Sequence, residues 1–365
     1  MDSLIKKGHS RDYSDLISIA IQNLAVLEQG MGPSGSVVLA EPQKQASKSG
    51  PSTGIKPSTQ KIQPIPATGE VHIPEMFSLA ELGSLPVSTI EPPNGNLPTD
   101  GIFTLDRWLF GQYNKLLPLK ANCRALARLS ANHENGVPLE SDAVRIAEAA
   151  ALLGDYLSEF DRRDRTSRDE ALATAFPRRL PDPEKAENSR ARYANQFVGA
   201  VNSKGELSGL LWEYRMAVLT CAMGVSPMTA RLSLTTSGLA FARLPNPILD
   251  EAQSGASGKF STEEVDFLLD HIRRHVPAEE FAFRTLIAAI QNGADTPEKL
   301  DEALRPLVPT ETNRSLSESF LSSQRSGALS RMADLALIAR VRKGVRVSYV
   351  VTEQEAGFVS GGERQ

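Results

Sequence analysis

Near its C-terminal end the chain changes hydrophobic period. Leu321, Leu329, Met332, Leu335, Leu337 and Ile338 recur at spacings that put most of them on one side of a helix. Arg325, Ser326, Ser330, Arg331 and Asp334 fall on the other side, predicted to face outward. After Ile338 the period drops to two. Residues 339–341 and 345–352 read as strands separated by Arg342, Lys343 and Gly344, with Val345, Val347, Tyr349 and Val351 alternating against Arg346, Ser348 and Val350. The pattern predicts a helix, a short strand, a basic turn supplied by Gly344, and a second strand.

Upstream, helices are expected at about 262–275, 278–292 and 297–307. Ser261 caps the first; Thr296 caps the third, with Pro297 at its first position, where the missing N–H costs nothing. A related pattern precedes them. It has a helix at about 190–201, a turn at 202–205, and a helix at about 207–221 carrying Trp212, Glu213, Tyr214 and Arg215. Residues 231–235 then lead into a helix capped by Thr235 or Thr236. Residues 103–129 read as two helical segments meeting at Pro118, which breaks or kinks the run. Trp108, Leu109, Tyr113, Leu116 and Leu117 form its apolar surface, and Lys115, Lys120, Arg124 and Arg128 form a basic stripe. A further helix at 140–160 is expected to turn Val144, Ala147, Ala151, Leu152, Tyr156 and Leu157 inward. An amphipathic helix at 14–29 opens the chain.

Composition alters this picture at the N-terminal end. Residues 31–100 hold 11 of the 23 prolines, with many Ser, Thr, Gln and Gly, and predict an extended, disordered linker in which the apolar island 77–87 is a transient turn. The chain length of 365 residues leaves room for two or three domains. Cys123 and Cys221 are too few for a disulfide framework. With no long apolar run and no signal-peptide pattern, the expected home is the cytoplasm, with no membrane partner.

Residues 326–338, SGALSRMADLALI, followed by 345–352, resemble the recognition helix and wing of winged-helix DNA-binding domains of the bacterial and archaeal regulator type. Leu234, Thr235 and Gly238 are similar to the L-T-x-x-G closure of the same superfamily. The resemblance implies a mainly α protein with short β-wings, built as tandem winged-helix-like units after a helical region and a disordered N-terminal arm. The boundaries expected are 1–30 for the amphipathic helix, 31–100 for the linker, 101–187 for the helical region, 188–251 and 252–359 for the two units, and 360–365 for a disordered tail.

It also implies double-stranded DNA as partner. Arg325 and Arg331 would approach the major groove, and Ser322, Ser323, Gln324 and Ser326 would offer short polar groups to base edges or phosphates. Arg340, Arg342, Lys343 and Arg346 would grip flanking phosphates. Between Arg314 and Arg346 seven cations stand against Glu318 and Asp334 alone, in a chain of net charge −4. The first unit has few cations and suits protein contact, as does the N-terminal helix, with a partner or a second copy. The alternative is a non-catalytic scaffold subunit that uses winged helices for protein docking.

Catalytic patterns are missing. His271 and His275 stand at i, i+4, but Ile272 occupies the place of the glutamate in a zinc-protease helix. Gly32-Pro-Ser-Gly-Ser lacks the Lys-Ser/Thr of a phosphate loop, and Glu263 with Glu264 sits at a helix start, where carboxylates favour the dipole. The sequence therefore predicts no enzyme, no metal and no cofactor.

Overall fold

Two runs of chain, one beginning at Leu117 and the other at Pro277, share a helix with proline in its first turn, a left-handed helix exit and a threonine-latched hairpin. The computed structural model describes residues 72–358 apart from short stretches at 96, 134, 164–170, 179, 202–204, 221–229, 251–258, 310–317, 345 and 355–357. The helix expected at 14–29, the linker as far as residue 71 and the tail 360–365 lie outside the described residues.

The first run has a proline in the opening turn of α1 (Leu117–Ser130), then β1 (Val137–Pro138) and the long α2 (Leu139–Arg163). α3 (Pro183–Tyr193) is capped by Asp182 and ends in one π-turn. A hairpin of β2 (Ala200–Val201) and β3 (Leu207–Ser208) leads to a single helical turn, α4 (Leu210–Glu213), and to strands β4 (Ala217–Thr220) and β5 (Arg231–Leu234). The sheet order is β1-β5-β4, antiparallel throughout. α5 (Thr236–Arg243) and α6 (Thr262–His275) follow, the latter opened by a complete capping box between Ser261 and Glu264. The second run comprises α7 (Pro277–Gln291), α8 (Pro297–Leu304), α9 (Glu318–Asp334) and the hairpin β6 (Ile338–Lys343) with β7 (Arg346–Val351). The described chain is thus mainly helical with small antiparallel sheets.

The correspondence between the runs extends to single hydrogen bonds. α4 ends at Arg215, with φ of 54°, where Met216 N donates to Leu211 O at 2.9 Å. α9 ends at Ala336, also with φ of 54°, where Leu337 N donates to Met332 O at 2.9 Å. Both exits have the six-residue closure and left-handed residue that satisfy a helix's last carbonyls. The hairpin that follows each exit is latched by a threonine. Thr235 N donates to Met216 O and its Oγ1 to Arg215 O, while Thr352 N donates to Leu337 O and its Oγ1 to Ala336 O. Outside the hairpin, Val137 pairs with Leu232, three residues before Thr235. Asp295 O accepts from the N–H of Tyr349, three residues before Thr352. Side chains from both runs, among them Leu117, Tyr214, Phe241, Phe283 and Met332, share one continuous core.

Several sequence expectations change here. Residues 103–116 are not a helix; apart from a short turn at Leu105–Arg107 they form a strap across α9, and the helix begins only at Leu117, with Pro118 inside its first turn. Only one turn of the helix expected at 207–221 forms, because Gly209 with φ of 122° and Arg215 with φ of 54° bound it. On α2 Ala147, Ala151 and Leu157 are buried as expected, but Val144 and Leu152 are exposed, and Ala143, Ile146, Ala150 and Leu153 join the buried face. The described part of the expected linker is packed. Phe77 and Leu82 are fully buried, and Ile90 bridges to Thr235. Burying a Phe and a Leu contributes about 1.5–3 kcal/mol each, enough to seat a proline-rich segment that has little regular structure of its own.

Candidate nucleic-acid interface

The β6–β7 hairpin projects from the end of α9, and its register decides where its cations lie. Cross-strand partners share a face. Ile338, Arg340 and Arg342 therefore lie with Val351, Tyr349 and Val347, and Lys343 stands directly opposite Arg346 on the other face. Tyr349 is buried and anchors the first face, so Arg340 beside it is half-buried, while Arg342, Lys343 and Arg346 are exposed. Gly344, with φ of 63°, makes the reversal at the tip. No described acidic residue pairs with any of the four cations. Like charges directly opposite each other destabilise a hairpin, so Lys343 and Arg346 form a local excess that an anion would relieve.

Helix α9 is arranged differently, and here the predicted outward face is corrected. Arg331 is fully buried: its Nε and Nη2 meet the Glu279 carboxylate at 2.5 and 2.8 Å, and Nη1 donates to Tyr113 O at 2.8 Å. Glu279 also accepts from Tyr214 Oη at 2.9 Å, so one buried network joins the two runs through α4, α7, α9 and the strap. Gln324 is buried too. Its Oε1 accepts from Gly111 N and its Nε2 donates to Leu105 O at 2.9 Å. Arg325 is 5% exposed, with Nε 2.8 Å from Asp301 Oδ1 in a charge pair without hydrogen-bond alignment, and Nη2 donating to Ser322 Oγ at 2.9 Å. Ser330 accepts from Lys115 and Asp334 from Leu116 N, so the strap covers the surface that the sequence assigns to a groove. Ser322 and Ser323 are half-buried, and Ser326 is exposed. The structure thus brings Arg340, Arg342, Lys343 and Arg346 together on one projecting hairpin, and removes Gln324, Arg325 and Arg331 from any external partner.

The basic stripe expected along α1 is neither solvated nor free for phosphate. Lys120 is fully buried 2.9 Å from Glu264, and Arg124 donates to both oxygens of Asp250 at 2.6 and 2.7 Å and to Phe77 O at 2.9 Å. Burial lowers the Lys120 ammonium to about 8 against the opposing pull of Glu264. Periodicity could not assign these roles, because the carboxylate partners Asp250 and Glu264 lie more than a hundred residues away in sequence. The one local signal was the run of apolar neighbours around Lys120 and Arg124.

The rings of His271 and His275 lie 4.9 Å apart but differ in burial, His275 being half-buried. His271 is buried, its Nε2 donates to Tyr214 O at 2.7 Å, and burial pushes its pKa down to about 4. No group of His, Cys, Asp and Glu suited to a metal ion occurs among the described residues. No described helix is long and apolar enough to cross a membrane. No protein-family model matches this chain, and no curated protein or solved structure matches it either.

Proposed function

We propose that the chain is a non-catalytic DNA-binding protein of two tandem winged-helix units, which grips the phosphate backbone of duplex DNA through the β6–β7 wing alone. The tandem reading is supported by the shared steps of the two runs, from the proline-initiated helix to the threonine latch. The observation that carries the functional reading is the set of three exposed wing cations with no acidic partner among the described residues, two of them cross-strand neighbours. Backbone interactions of this kind hold DNA without reading its sequence. A groove-reading helix forms no part of the proposal, since α9 spends its cations on Glu279 and Asp301.

The test is a titration of the full chain with a duplex of arbitrary sequence at several salt concentrations, beside the triple variant Arg342→Ala, Lys343→Ala and Arg346→Ala. Every phosphate that the variant no longer neutralises lowers the slope of log affinity against log salt by about 0.9. A drop of about 2–3 in the variant, with an unchanged thermal melt, supports the proposal. Identical curves for the two proteins overturn it. The second reading, a scaffold that docks proteins, is favoured by the strap over α9 and predicts weak, salt-insensitive DNA binding.

A further inference from the structure

Residues 97–109 pass beside α4 and the α6–α7 corner, where they border a half-open cavity of about 330 Å³. Its walls are of two kinds. Leu97, Phe103, Leu109 and Pro277 are apolar, and Arg107, Glu213, Arg215 and His275 are polar. Two of the polar residues contribute buried atoms with no hydrogen-bond partner, Arg215 Nε and His275 Nδ1. Buried polar atoms in folded proteins are nearly always paired, so two orphans on residues lining one cavity, one at the exit of α4 and one at the end of α6, mark a place where something polar is accommodated.

The charge of the cavity says what kind of group fits. With His275 neutral, the lining carries the guanidinium groups of Arg107 and Arg215 and the single carboxylate of Glu213, which leaves one positive charge over among these residues. Of the neighbouring charges, Arg274 is paired with Asp270 at 2.7 Å and Glu279 with Arg331, while Glu91, outside the lining, accepts from Thr236 Oγ1 at 3.2 Å and keeps its negative charge. Burial also pushes the Glu213 carboxyl up, which weakens the one opposing charge. The Arg215 guanidinium lies 4.6 Å over the Trp212 ring, which fixes its plane. The first turn of α7, at Val276–Ala278, opens onto the same space and adds its positive dipole end.

We propose that this cavity binds a small monocarboxylic acid with an apolar body, its carboxylate on Arg215 with Arg107 at the mouth, and its body against Leu97, Phe103 and Leu109. The volume lies at the low end of small-molecule sites and suits a single-ring acid rather than a nucleotide. Because its walls come from both runs, the ligand clamps them against each other and against the strap.

The experiment titrates the full chain with phenylacetate and, separately, with phenylacetamide, by calorimetry and ligand-observed NMR. Phenylacetate is expected to bind saturably with Kd below about 1 mM, and the neutral amide at least about tenfold more weakly. Arg215→Gln and Arg107→Gln should each weaken the acid by roughly tenfold and abolish the preference over the amide. Arg107 is exposed, so its variant stays informative if Arg215→Gln does not fold. The wing variant Arg342→Ala should bind phenylacetate unchanged. Equal affinity for acid and amide, absence of saturation, or insensitivity to both arginine variants overturns the proposal, and each leaves the wing reading untouched.

Discussion

The hairpins β4–β5 and β6–β7 leave their helices through the same closure and return through the same threonine latch, yet their strands carry different chemistry. β4 has no cation, and the one cation of β5, Arg231, donates to Gly136 O at 2.6 Å. β6 and β7 carry four, none paired with a described acid. The helix ahead of each hairpin differs as well: α4 is a single turn of 4 residues, whereas α9 has 17 residues and is wrapped on nearly every side. The frame is therefore set by helix exits and latches, which are backbone features indifferent to most side chains. The charge each hairpin presents is set by a few outward strand positions.

The comparison breaks most severely at the network joining the two runs. Arg331→Met leaves the Glu279 carboxylate buried without its guanidinium and should cost about 3–5 kcal/mol in urea unfolding. The double variant with Glu279→Met should recover much of that loss. If Arg331→Met alone costs less than about 1 kcal/mol, the two runs are not held together at this point.

Acid supplies the next test. The unfolded chain binds a proton at His271 from about pH 6.5 downward, while the folded chain excludes it until about 4. In that window the unfolded state holds more protons, so stability falls as the pH is lowered, by about 3 kcal/mol in all. The difference between wild type and His271→Gln, followed by denaturation between pH 7 and about 4, isolates this effect from the carboxylates.

A methyl group on Gly327 would sit 2.3 Å from Gly111 O and 2.6 Å from Gly111 Cα. Gly327→Ala should therefore lift the strap, lower stability by about 1–3 kcal/mol, and speed hydrogen exchange at the Leu116 amide. Unchanged exchange would show that the strap is not seated by this close approach.

The finest comparison sets the two latches side by side. Thr235 is fully buried, donates to Arg215 O and accepts from Gly238 N at 2.9 Å as the cap of α5, whereas Thr352 is only half-buried. Thr235→Val should cost about 2 kcal/mol and Thr352→Val about 0.5–1 kcal/mol by thermal denaturation. Equal costs would mean that burial adds nothing to the latch.

What the sequence disclosed was what short-range chemistry determines. Ser261, Thr296 and Thr235 cap the helices expected of them, and the alternation around Tyr349 places the wing and its turn within a residue or two. Those signals act over a few residues, so a linear reading recovers them. The strap and the buried cations were illegible for the opposite reason. Nothing near Arg331 announces Glu279, and a helix rich in Gly, Ala and Ser is as consistent with close packing on all sides as with an open polar face. The segment around Phe77 and Leu82 reads as linker because its prolines dominate the composition, although two fully buried side chains are enough to seat it. At the β6–β7 hairpin, periodicity placed Arg340, Arg342, Lys343 and Arg346 on the two strands that carry them. The outward set on α9 failed because charge alone does not reveal which side of a helix another part of the chain will cover.

The crossing of Gly111 and Gly327 also orders events in time. Gly111 and its hydrogen-bond partner Gln324 are 213 residues apart in sequence. At ribosomal speeds of about 5–20 residues per second, the strap emerges roughly 10–40 s before the helix it covers. Throughout that interval Leu105, Trp108 and Tyr113 have no final seat, and the nascent chain needs a temporary shelter for them until α9 arrives.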